Sequence, residues 1–124
     1  MKAQTKISEA EWEVMSVAWK QAPVTVNEVI ERLETKRGWH SRTVRTLLDR
    51  LVKKGALRFA VDGKRYLYWP KVTFEQCVTR ESRSFLDRVF GGEPGPMLAH
   101  LVRTSPLSPA EIQHLKEILK EKEK

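Results

Sequence analysis

Ser41-Arg42-Thr43-Val44-Arg45-Thr46-Leu47-Leu48-Asp49-Arg50-Leu51-Val52-Lys53-Lys54-Gly55 reads as one amphipathic helix with its own stop. Val44, Leu47, Leu48 and Leu51 fall at the spacing that makes a single apolar stripe. Ser41 is expected to cap the helix, and Gly55 to close it in the left-handed conformation. Opposite the stripe stand Arg42, Thr46, Asp49 and Lys53, with Thr43, Arg45 and Arg50 at the edges. Those positions hold a lone acid and no regular i, i+4 ion pairs, unlike an ordinary solvated face.

Downstream, Leu57 to Val61 and Lys64 to Trp69 flank Asp62-Gly63, a dipeptide that favours a type I′ hairpin turn. That turn pairs Phe59 with Tyr66 and Leu57 with Tyr68. It makes one face apolar and aromatic and sends Arg58 and Arg65 to the other. Tyr66 and Tyr68 are read as core over that face rather than as stacking platforms for single strands. Pro70 ends the ribbon.

Upstream, two more helices are expected. Ser8 with Glu11 and Thr25 with Glu28 have the spacing of capping boxes, as do Thr73 with Gln76 and Ser108 with Glu111 further on. The first helix covers about Glu9 to Lys20, with Trp12, Met15 and Trp19 as buried stripe. The second runs from Val26 to about Lys36, where Gly38 breaks it. Trp39 is expected to anchor the second helix to the third. A short strand near Val24 is a candidate partner for the hairpin. Helix, helix, helix, hairpin is the winged helix-turn-helix layout: mostly α with a small β-hairpin.

Charge follows this plan. The 124-residue chain carries a net +7. Between Lys36 and Arg65 stand ten Lys/Arg against two acids, Asp49 and Asp62, a local excess of +8. A cationic helix followed by a cationic hairpin is the footprint of a duplex-binding surface. Arg42, Thr43, Arg45 and Thr46 are the candidates for base edges and nearby phosphates, with Arg50 beside them. The helix start favours a phosphate near Ser41 and Arg42. Arg58, Lys64 and Arg65 are expected to hold the backbone or enter the minor groove. His40, beside that surface, is read as an ordinary loop histidine.

Residues 72–124 differ in character from residues 1–71, and the chain is read as two domains on that division. A helix from Phe74 to Phe90 is followed by the break Gly91-Gly92-Glu93-Pro94-Gly95-Pro96, a short helix from Met97 to Arg103, and a last helix after Ser108. Phe85, Val89, Leu98, Leu101, Val102, Ile112, Leu115 and Leu119 make apolar stripes that so few helices cannot bury alone. A second copy of the chain, in a two-fold dimer, is the expected cover.

Several chemistries find no support. Cys77 is the one cysteine, which excludes an intrachain disulfide or a thiolate metal cage and suits a cytoplasmic protein. His100 and His114 stand apart from any ligand pattern. No phosphate loop, nucleophile elbow or dinucleotide fingerprint occurs, and no enzyme, metal or cofactor is read. Lys2 and Lys6 precede no apolar run, so no signal peptide is expected. No apolar stretch approaches the ~18 residues of a membrane span.

Ile7 to Met15 with Val17-Ala18-Trp19, Thr43 to Leu57, Tyr66-Leu67-Tyr68-Trp69-Pro70, Val89 to Gly92 and Leu107 to Ile112 together resemble the penicillinase repressor (BlaI/MecI) family, which also contains copper-responsive repressors. The resemblance implies a homodimeric repressor with an N-terminal winged helix and a helical dimerisation domain, bound to a palindromic operator of resistance or stress genes. It also implies, for β-lactam-responsive members, a membrane sensor-protease and cleavage after the double glycine. By ungapped reading that bond is His100–Leu101, where those members have Asn-Phe. The last residues given, Glu121-Lys122-Glu123-Lys124, hold no Cys, so copper sensing by the Cys-rich tail of the copper-responsive members is not expected. The competing expectations are a winged-helix adaptor that binds only proteins, and an RNA or single-strand binder working through Tyr66 and Tyr68.

Overall fold

A computed structural model describes residues 6–124; the expectation that involves Lys2 lies outside them. The elements are α1 (Glu9–Lys20), β1 (Val24–Thr25), α2 (Val26–Arg37), α3 (Ser41–Lys54), β2 (Leu57–Asp62), β3 (Arg65–Pro70), α4 (Phe74–Phe90), α5 (Pro94–Thr104) and α6 (Pro109–Glu123). They form two compact units, divided between Thr79 and Arg80. No helix among the described residues is long and apolar enough to cross a membrane.

Local signals set the helix starts. Full capping boxes open α1, α2 and α6. Thr73 and Gln76 exchange the same two bonds ahead of α4. Helix α5 starts at Pro94, three residues before the expected Met97. Its prolines occupy the first turn, where a missing N–H leaves no helical bond unmade. At α3 the cap is His40, not Ser41: His40 Nδ1 accepts the Arg42 N–H at 3.0 Å. The ring nitrogen stands in for the usual hydroxyl, and Ser41 becomes the first helical residue.

In the first unit, Val14, Met15, Val29, Leu33, Val44, Leu48, Leu51 and Leu57 form the middle of one core. The stripe of α3 is buried as expected. Trp12 and Trp19 are only half-buried. With Phe74 they make an edge-to-face triad, centroids 5.3, 6.2 and 5.3 Å apart. The Trp19 indole N–H donates to the Val72 carbonyl at 2.9 Å, which satisfies its one polar atom. Trp39 packs half-buried against the core.

The sheet is antiparallel, in the order β1-β3-β2, so the expected strand at Val24 exists and pairs with Tyr68. The hairpin register differs from expectation by two residues on the partner strand: Leu57 faces Pro70, Phe59 faces Tyr68 and Val61 faces Tyr66. Asp62 pairs with Arg65, so the turn is Gly63-Lys64. Gly63 takes φ +66° at the first turn position, and Lys64 needs no positive φ, the pattern of a type II′ turn. The shift adds one rung and brings Asp62 against Arg65. An even shift keeps every side chain on its expected face.

In the second unit no residue from 80 to 124 is buried. Phe85, Val89, Leu98, Leu101, Val102, Ile112, Leu115 and Leu119 are all exposed, Leu119 by 59 %.

Candidate nucleic-acid interface

Helix α3 is a charged rod fixed on its inner side. Arg42, Thr43, Arg45, Thr46, Arg50 and Lys53 are exposed, and Ser41 is half-exposed. Its start is tied by the His40 cap. Its end is tied to α1: Lys54 Nζ donates to the Glu11 carboxylate and, at 2.9 Å, to the Lys6 carbonyl. Glu11 is 1 % exposed and also accepts the Ser8 N–H at 2.8 Å. Burial pushes the Glu11 carboxyl up. The hydrogen bond from Lys54, the Ser8 N–H, the Lys54 charge and the Ser8 hydroxyl outweigh that and hold it below the usual carboxylate range.

The structure divides the ten cations between Lys36 and Arg65. Lys36 and Arg37 turn back to Glu13 on α1, Lys54 to Glu11, and Arg65 to Asp62 at 3.1 Å. Arg42, Arg45, Arg50, Lys53, Arg58 and Lys64 have no carboxylate partner among the described residues. These six are the cations free to meet phosphate. Four lie on α3 and two on the hairpin, the element that serves as the wing.

On the wing, Arg58 and Arg65 share the face away from the core, as expected. Arg58 is a cross-strand neighbour of Trp69, and its guanidinium lies 4.3 Å from the indole centroid. Trp69 went unnoticed in the sequence because the expected register sets Arg58 opposite another residue. On the other face Tyr68 is buried, with burial and then nearby Asp49 raising its phenol and Arg45 opposing them. Tyr66 is not core: it is 46 % exposed and stacks on Phe59 at 5.2 Å. The hairpin extends beyond the helices that cover its base, so only its first rungs are buried.

His100 and Leu101 lie within α5, both exposed. Among the described residues no group of three His, Cys, Asp or Glu is placed to hold a metal ion.

Residues 7–121 match the model of the penicillinase repressor family. The chain belongs to this family. It is 38 % identical over 121 residues to the penicillinase repressor of Bacillus licheniformis, covering 98 % of this chain and 94 % of that one. It is 34 % identical over 117 residues to the methicillin resistance regulatory protein MecI of Mammaliicoccus sciuri, covering 94 % and 95 %. Among solved structures it is similar to the monomeric form of Bacillus licheniformis BlaI in complex with the blaP half-operator. There the TM-score is 0.52 and the identity 40 %, covering 58 % of this chain and 88 % of that chain. In this penicillinase repressor family member, the six cations lie within the residues that match the family model.

Proposed function

We propose that the chain is a sequence-specific DNA-binding transcriptional repressor that acts in the cytoplasm as a homodimer on a palindromic operator of a resistance or stress operon. One observation carries the reading: of six cations without carboxylate partners among the described residues, four are arrayed on a helix whose other side is buried and whose two ends are tied, and two stand on the adjoining hairpin. A charged helix held in this way can enter a major groove at little entropic cost. Arg42, Thr43, Arg45 and Thr46 are assigned to base edges and adjoining phosphates, and Ser41 and Arg50 to phosphates. Arg58, Lys64 and Arg65 hold the backbone at the wing, with Arg65 weakened in this role by Asp62.

The exposed stripes of residues 80–124 fit a second copy, which would fix the separation of two reading helices. The reading includes a membrane sensor-protease as partner, with His100–Leu101 as the candidate cleavage bond. Selection of bound duplexes from a random pool tests the function. Enriched two-fold sequences, bound at least about a thousandfold more tightly than scrambled ones, are expected. A pool that stays random would return the chain to the class of protein-binding adaptors.

A further inference from the structure

The core-facing side of the hairpin begins as core and ends as bare surface. Leu57 and Tyr68 are buried. Along the same face Phe59, Val61 and Tyr66 are 44 %, 59 % and 46 % exposed. Phe59 and Tyr66 lie nearly parallel, with an interplanar angle of 12° and centroids 5.2 Å apart. Phe59 also touches the Tyr68 ring, centroids 6.0 Å apart. Two stacked rings, each still nearly half exposed, make a flat apolar plate toward the hairpin tip.

We infer that this plate is a contact surface for the sugar-phosphate ridge of duplex DNA, packing on deoxyribose between the groove entered by α3 and the wing. The inference rests on the proposed function and assigns to it residues that carry no charge. Charge complementarity selects the occupant. The plate adjoins Tyr68, which packs in the same core as the inner stripe of α3. Lys64 lies at the tip of the same ribbon, and Arg58 and Arg65 on its reverse side. An apolar strip between two sets of cations matches a ridge whose sugars are apolar and whose phosphates are anionic. A protein partner of acidic character would match the cations but not the plate between them. A single strand would match the rings as stacking platforms.

The test uses the full chain and a short mixed-sequence DNA duplex as probe, titrated at several salt concentrations. Phe59→Ser combined with Tyr66→Ser is expected to weaken binding by about tenfold, the scale of removing two half-exposed rings from a contact. The slope of log affinity against log salt is expected to stay unchanged, because no phosphate contact is lost. Tyr66→Phe, which keeps the ring, is expected to bind as the parent does. Near-UV circular dichroism of the tryptophans and the unfolding midpoint report whether the double variant keeps its fold. If it does not, Phe59→Ala alone is read, with about a threefold loss expected. Four results would overturn the inference. They are unchanged duplex affinity, an altered salt slope, a preference of the parent for the matching single strand that disappears with the rings, or a change in self-association in the double variant. A parent that ignores duplex DNA altogether would instead remove the proposed function itself.

Discussion

The ammonium of Lys54, in the last turn of α3, donates to the buried carboxylate of Glu11, in the first turn of α1. Glu11 thus caps its own helix and holds the far end of the reading helix. Removing the cation would leave a carboxylate in the core with only Ser8 to satisfy it. Lys54→Met is therefore expected to lower stability by about 3 kcal/mol near neutral pH, measured by urea unfolding. The sign with pH follows from Glu11 titrating below its ordinary range in the fold. Its stabilisation is complete above the ordinary carboxylate value and fades as pH falls through the lower folded value. The gap between parent and Lys54→Met should close in acid; a constant gap would show that the ion pair is not its source.

Helix α3 is held at its start by an imidazole. His40→Ala should cost about 1 kcal/mol in unfolding experiments, as loss of an N-cap does. His40→Ser should recover most of it. Equal losses in the two variants would mean that the ring matters for something other than its acceptor.

The Arg58 guanidinium sits over the Trp69 ring, and a guanidinium held there has fewer rotamers to lose on meeting a phosphate. Arg58→Ala should weaken duplex binding and reduce the salt slope by about 0.9. Trp69→Leu should also weaken binding, but should add little in the Arg58→Ala background. A double-mutant cycle is expected to give a coupling of about 0.5–1 kcal/mol. Additive losses would separate the two residues.

Much of this arrangement is readable from local spacing. Capping boxes join residues three apart, so Ser8, Thr25, Thr73 and Ser108 mark helix starts without tertiary knowledge. The stripe of Val44, Leu47, Leu48 and Leu51 is equally local, as is the excess of positive charge. What distance decides is not readable. The ties of Lys36 and Arg37 to Glu13 and of Lys54 to Glu11 cross from one helix to another, and they determine which cations remain available. The hairpin slip preserved each face, yet it changed which residues are neighbours, and that hid the Arg58–Trp69 pair. Tyr66 looked like core because its strand alternates correctly. Nothing in its sequence says that the ribbon outruns its cover.

The apolar side chains of residues 80–124 find no buried environment within their own unit. Leu115→Asp is expected to weaken self-association by about a hundredfold, roughly 3 kcal/mol, because a carboxylate would enter an apolar contact. Sedimentation equilibrium reads the shift directly. A parent that sediments as a monomer, or a variant that pairs as well as the parent, would rule out this face as the dimer seam.

The central claim is that cations without acid partners on α3 and the wing hold duplex DNA by releasing its counterions. Affinity for a duplex recovered by selection, followed across a range of salt concentrations, tests it most directly. The parent should show a steep negative log–log slope. Arg45→Ala should make that slope shallower by about 0.9, while Arg42→Ala should also lose about 1–3 kcal/mol of discrimination against a scrambled duplex. A slope near zero, or one that the α3 substitutions leave unchanged, would contradict the account.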